Sequence, residues 1–408
     1  MKKILAFVLS IAVVFGMVTT ISACTSETPI VGLICLHDEA STYDKNFIDA
    51  FEAACKAKGL KKGQWIIKTN VPEKTSDCKD TAEQFVKLGC KAIFADSFGH
   101  EDNMLEVAKK YPEVQFCHAT GVKAHTENLP NFHNAFASIY EGRYLAGVAA
   151  GLKLQEMIAA NKITDAMKEG ENIKIGYVGA YPYAEVKSGY TSWFLGVRSI
   201  VPNVVMKVKF TNDWYSVKKE SDTADYLIKE QHCAIISQHA DSMGAPNTCE
   251  KAEIPNVSYN GSTAASCPKT FIVSSRINWQ PYFELMIDAV TGGKALPTDW
   301  TGNISTGSVV LTELGAAAAA NTQAKIDEVK AKLLNGSLKV FDLSTFTVNG
   351  AALVDNFMAN VNDDAAFTPD TVVIKTTESG IKYFAESEFR SAPYFEVDID
   401  GITIIANN

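Results

Sequence analysis

Residues 29–36 form an unbroken apolar run of strand length, the pattern of a strand buried on both faces of a parallel sheet. From Asn46 to Lys58, Phe47, Ile48, Phe51, Ala54 and Cys55 fall at helical spacing, and Gly59 ends the helix. The alternation continues with strands at 64–68, 92–95, 114–118 and 134–138 and helices at 78–88, 101–110 and 140–157. It restarts at residue 173. Strands at 173–178, 204–210, 234–237, 256–259 and 271–274 are interleaved with helices at 185–200, 218–229 and 282–290, and a short Pro/Gly-containing segment precedes the strand at 256–259. Beyond about residue 305 the pattern is less regular, with a helix at 319–334 and strand-like pieces at 338–341, 371–374 and 395–404. Repeated strand–helix units predict an α/β fold with doubly wound, mostly parallel sheets flanked by helices; two such series predict two lobes.

The first two dozen residues break this pattern. Lys2 and Lys3 open a basic start, and 4–18 is nearly all apolar, long enough to enter a membrane but short for a permanent span. Ile21-Ser22-Ala23-Cys24 resembles a bacterial lipoprotein signal, in which the Cys is lipidated and becomes the mature N-terminus. Lipid on Cys24 would hold an otherwise soluble protein at the membrane, on its extracytoplasmic face. No later segment reaches 18 consecutive apolar residues.

Composition sharpens this picture. The 408 residues are 47% hydrophobic, which suits a globular chain, and their formal net charge is −9. Losing 1–23 removes two lysines and leaves 385 residues at −11. Such a charge argues against nucleic acid or an anionic membrane surface as main partner. Of nine cysteines, Cys24 is spoken for; the other eight permit disulfides without establishing any. No Cys/His cluster has metal-ligand spacing, so neither metal nor cofactor is expected.

Open α/β sheets bind ligands in the loops at the carboxyl ends of their strands. There the chain places Tyr43 and Asp44, then Ser97 and Phe98, then Tyr181 and Glu185. Trp214 follows, then His239, Asp241 and Ser242, then Asn260 and Trp279, with Arg276 a weaker choice. Each has a plainer alternative: core packing for Phe98 and Trp279, interlobe packing for Trp214, helix capping for Asp241 and Ser242. Glu141 and Arg143 are read as a salt bridge at a helix start, crossing between lobes and away from any ligand. Walker, GxGxxG and GxSxG motifs are absent, so nucleotide cofactors and a serine-hydrolase elbow lack their signatures. A cleft rich in Tyr, Phe and Trp with scattered carboxylates suits a flat, polar heterocycle.

Three stretches carry a family resemblance: Ser97-Phe-Gly99 with 106–112 and His118-Ala-Thr-Gly121; Tyr140-Glu-Gly-Arg-Tyr-Leu-Ala-Gly-Val-Ala149; and Trp214 with Gln238-His-Ala-Asp-Ser242. They resemble the basic membrane protein family of ABC-transporter substrate-binding lipoproteins, which includes purine nucleoside receptors. The resemblance implies a two-lobed periplasmic-binding-protein fold of the first type, with three crossovers. It implies a leader at 1–23, one lobe of 24–138 plus about 272–330, and another of 139–271 plus about 331–408. It implies a purine base or nucleoside held between the lobes, the ring of Tyr43 stacking on the base and Glu185 accepting from ring N–H or amine groups. The implied partner is an ABC permease, and a monomer is expected. The rival readings are a sensory receptor for another small ligand and a cell-surface nucleoside hydrolase, although the acids form no metal-binding motif.

Overall fold

A computed structural model describes residues 28–359 and 370–406. The leader expected at 1–23 and the lipidation expected at Cys24 lie outside the described residues. In chain order the first half runs β1 (Val31–Ile34), α1 (Thr42–Ala57), β2 (Trp65–Lys68), α2 (Asp77–Leu88), β3 (Ala92–Ala95), α3 (Glu101–Lys110), β4 (Gln115–Ala119), α4 (Ala124–Glu127), β5 (Phe132–Ala137) and α5 (Ile139–Ala159). Then come β6 (Lys168–Glu169), β7 (Asn172–Gly179), α6 (Ala184–Arg198), β8 (Val204–Phe210), α7 (Val217–Lys229), β9 (Ile236–His239), α8 (Gly244–Ala252), β10 (Asn256–Tyr259), β11 (Phe271–Ile277) and α9 (Gln280–Thr291). The last part holds β12 (Asp299–Gly302), β13 (Val309–Leu311), α10 (Thr322–Leu334), β14 (Met358–Ala359), β15 (Thr371–Val372), β16 (Ile374–Thr376), β17 (Lys382–Phe384) and β18 (Ile402–Ile405).

Two sheets result. The first has the order β2-β1-β3-β4-β5-β12 and every pair in it is parallel. The second has the order β18-β8-β7-β9-β10-β11-β13; β13 alone on this path is antiparallel, and β6 pairs antiparallel with β7 off it. The buried runs of β1, β3 and β5 explain their central places: strands covered by helices on both faces need apolar residues on both.

The chain passes between the sheets after β5, after β11 and after β12. Residues 272–277 and 309–311, expected with the first lobe, belong to strands of the second sheet. From that stretch only β12 returns to the first sheet, while α9 packs on α1 through Phe283 against Phe51, rings 5.1 Å apart. A strand's own residues do not say which sheet edge will accept it.

Helix α5 is buried on nearly all sides because it crosses α6 at close range. Gly147 and Gly196 make this possible: a Cβ on either would meet a backbone carbonyl oxygen of the other helix at 2.2 Å. The expected Glu141–Arg143 bridge does not form. Glu141 accepts from the Ile304 N–H, and Arg143, fully buried, donates to Tyr177 Oη (2.8 Å) and Ser237 Oγ (2.9 Å) and lies over the rings of Tyr177 and Tyr259. The eight described cysteines are all buried thiols without disulfides and act as small core residues.

The late region departs most from its pattern. Residues 338–341 form no strand, only a turn at 340–341; Phe341 stacks on Phe395, centroids 4.2 Å apart. Of 395–404 only the end joins a strand, β18, parallel to β8. The unanticipated helix α8 carries Pro246 in its first turn, where no N–H is needed. Among the described residues no helix is long and apolar enough to cross a membrane.

Candidate functional site

The carboxyl ends of the two sheets face each other across a cleft. The Thr42 N–H and Oγ1 both donate to the Asp241 carbonyl, at 3.0 and 3.2 Å, tying the lobes together. The enclosed space at the floor is about 20 Å³, room for one water, so a ring ligand has to part these walls. A wider chamber of about 470 Å³ adjoins it and shares Phe98, Thr120, Glu185 and Trp214.

The first wall comes from the start of α1. Ser41 caps this helix: its Oγ accepts from the Asp44 N–H (3.1 Å) and donates to Asp44 Oδ2 (2.6 Å). Asp44 Oδ1 accepts from the His37 N–H at 2.7 Å. The cap thus aims a buried carboxylate at the cleft. Tyr43 Oη donates to the Asp96 carbonyl at 2.7 Å, leaving its ring as a wall beside Phe47.

The loop after β3 is held from beneath by Glu73, whose Oε1 accepts from Ser97 Oγ (2.5 Å) and the Gly99 N–H (2.8 Å). A Cβ at Gly99 would strike the Glu73 side chain at 2.6 Å, so only glycine permits this clamp. Phe98 consequently projects across the cleft, 41% exposed, to meet the Tyr183 ring at 5.7 Å. Tyr183 stacks on Tyr181 at 5.3 Å, and Trp214 meets Tyr181 edge-on at 5.1 Å. These rings form an aromatic rim.

Polar groups occupy the floor. His239 ends β9 and places Nε2 3.3 Å from Glu185 Oε1, while its Nδ1 is buried without a partner. Burial pushes the Asp241 carboxyl well above the usual carboxylate range, with the charges of Asp44, Glu220 and Glu185 adding to the effect. Asp96 is raised by burial and then by Asp44, and the Tyr43 hydroxyl by burial and then by Glu185. So many carboxyl groups favour ligands that donate hydrogen bonds, such as amines and ring N–H groups, and disfavour phosphates.

Cys35, Asp44 and Asp96 could bring ligand atoms within 4.8 Å of one another, a cluster the sequence spacing did not show. Both Asp44 oxygens and Asp96 Oδ1 already accept hydrogen bonds. Burial raises the Cys35 thiol as well as Asp96, so two of the three groups favour their neutral forms and suit an ion's donor set poorly.

Of the residues expected from sequence, Tyr43, Asp44, Ser97, Phe98, Glu185, Trp214, His239 and Asp241 come together in this cleft. Tyr181 lies at a neighbouring mouth with His37, Glu73 and Trp214. Three do not line the cleft. Trp279 is fully buried in the core, stacked on Phe47 at 4.4 Å. Ser242 Oγ accepts from the Gly244 N–H at 3.0 Å, just ahead of the Met243 N-cap of α8. Asn260 is buried in a left-handed turn after β10, its N–H bonded to the Ser275 carbonyl. Arg276 donates to Asn46 Oδ1. Leu36, Thr120 and Tyr183 were missed; the strand-end rule would have found Thr120 after the strand at 114–118, whereas Leu36 closes the apolar run read as the first strand, which in the structure ends at Ile34.

Residues 32–344 match the family model described as Bmp, ABC transporter substrate-binding protein PnrA-like. The putative ABC transporter glucose-binding protein TsgA13 of Haloferax volcanii is 29% identical over 271 residues, 66% of this chain and 64% of that protein. The purine-binding protein BAB2_0673 of Brucella abortus is 33% identical over 218 residues, 53% of this chain and 56% of that protein. The matches thus span less than two thirds of either relative. A solute-binding protein of an ABC transporter system from Conexibacter woesei superposes with a TM-score of 0.60 at 18% identity, over 76% of this chain and 98% of that one, and shares the fold.

Proposed function

Since the chain belongs to the Bmp family of PnrA-like ABC transporter substrate-binding proteins, we propose that it is a receptor for a purine base or nucleoside. It closes two lobes around the ligand outside the cytoplasm and delivers it to an ABC permease, tethered through lipid on Cys24. No covalent chemistry is involved. The reading rests chiefly on one observation: an aromatic rim of Phe98, Tyr183 and Trp214 stands over a floor of Asp44, Glu185, His239 and Asp241. Stacking contributes about 1–3 kcal/mol per base. The carboxyl groups accept from the ring's N–H and amine groups. The relative described as purine-binding adds support.

A sugar is the second reading. It is favoured by the relative described as glucose-binding, and a Trp ring also packs against an apolar sugar face. Melting curves with adenine, adenosine, guanosine and glucose separate the two, since a ligand of the folded state raises stability by RT ln(1 + [L]/Kd). A shift with purines alone is expected. A shift with glucose and none with purines overturns the purine reading, and release of free base from adenosine overturns the receptor reading.

A further inference from the structure

The C-terminal residues 370–406 lie beyond the family match and yet border the cleft. Residues 386–398 bond to both lobes. On the first, Ser387 Oγ meets Ser138 Oγ at 2.9 Å and the Ser391 N–H donates to Asp299 Oδ2 at 2.9 Å. On the second, Glu386 accepts from Ser188, Lys187 Nζ donates to the Glu396 carbonyl (3.1 Å) and Asp398 (2.9 Å), and Tyr190 Oη donates to Asp398 at 2.9 Å. This strap forms one wall of the 470 Å³ chamber through Arg390, Ala392, Pro393 and Glu396.

Arg390 is the informative residue. It is only 4% exposed, and its guanidinium lies over the Tyr394 ring at 4.2 Å. Nε donates to the Ala392 carbonyl and Nη2 to the Pro393 carbonyl, but Nη1 is buried without a partner. Asp299 and Glu101 act on it through space without a hydrogen bond. A buried donor left unpaired carries a desolvation penalty; Nη1 has no surface open to the chamber as the strap now lies, so a ligand oxygen relieves that penalty when the wall shifts to admit it. Glu185 borders the same chamber, so the occupant should also donate. A hydroxyl group does both, whereas a phosphate can only accept at this carboxyl group. Lys187 is already engaged by the strap.

We propose that the C-terminal strap completes a second subsite, in which Arg390 Nη1 donates to the hydroxyl-bearing part of a ligand whose ring occupies the aromatic cleft. This rests on the ring-ligand reading above. Calorimetric titration of the full chain with adenine and with adenosine tests it. Arg390→Ala is expected to weaken adenosine at least tenfold and to leave adenine within twofold. Equal loss for both ligands, or no loss for adenosine, overturns the subsite. If Arg390→Ala fails to fold, Ala392→Leu narrows the chamber with the guanidinium in place, and the same selective loss is expected. Wild-type protein that binds neither ligand overturns the ring-ligand reading and the subsite with it; wild-type protein that binds both, with variants that do not discriminate, overturns the subsite alone.

Discussion

Glu386 should make the stability of this protein fall as pH rises. It is 1% exposed, accepts from Ser188, and has one carboxylate oxygen without a partner. Burial raises its carboxyl from 4.5 to about 8; the hydrogen bonds from Ser188 and Ser387 oppose the rise, and the charges of Glu141 and Glu185 add to it. At about 1.36 kcal/mol per pH unit, the folded state favours the neutral acid by up to about 5 kcal/mol. The folded pKa lies above the unfolded one, so this stability is fully present below about pH 4.5 and is lost as pH rises toward about 8. Glu386→Gln keeps the shape and the Ser188 contact and removes the titration. Urea unfolding of both proteins at pH 5.5 and 8.5 measures the difference. Glu220, raised to about 7, and the buried Asp96 and Asp241 act in the same direction in both proteins and cancel in the comparison. The wild type should lose at least about 1 kcal/mol more than the variant between these pH values, a low bar against the value above. Parallel losses would refute the placing of a buried, titrating carboxyl in the strap.

Three further outcomes are expected. Trp214→Ala should weaken purine binding by about 10- to 100-fold, the value of one stacked base; because Trp214 is half-buried at the rim, the melting point of the ligand-free protein should barely move, and unchanged affinity in a calorimeter would remove it from the site. Trp279→Ala should cost about 3–5 kcal/mol in denaturant unfolding, as for other buried aromatics, while affinity in the folded fraction stays near wild type; a selective loss of affinity would return it to the cleft. Ser41→Ala removes the cap of α1, worth about 1 kcal/mol, and leaves Asp44 without one partner, so stability and affinity should fall together; a stability loss with intact affinity would show that Asp44 needs no such support.

Strand and helix identity was largely legible because burial on both faces leaves an apolar run and an amphipathic helix leaves a 3.6-residue period. β3, α3 and β8 lie where the pattern puts them. The cleft was legible for the same reason: residues just after buried parallel strands have to surface together at one sheet edge, which gathers Asp44, Ser97 and Asp241 from distant parts of the chain. Trp279 and Ser242 obey the same positional rule and still turn inward. Trp279 fills a hole between Phe47, Phe94 and Phe136, and Ser242 meets an unsatisfied helix N–H. The direction of Trp279 is set by neighbours far off in sequence, and that of Ser242 by where α8 begins two residues on.

By itself, then, the sequence determined an alternating α/β chain in two series, an acidic balance, and the loops from which a cleft would be built. Those properties follow from local periodicity and from charge, which a short window of residues contains. Only the tertiary structure decided that β11 and β13 join the second sheet and that Arg143 is held by hydroxyls and carbonyls instead of an acid. It alone brought the C-terminal strap against the cleft, with Arg390 in its wall. The β11–β13 pairing, the bonds of Arg143 to Tyr177 and Ser237, and the bonds of the strap to both lobes each join groups more than 30 residues apart, settled by which edge, donor or cavity remained unfilled after the local elements had formed.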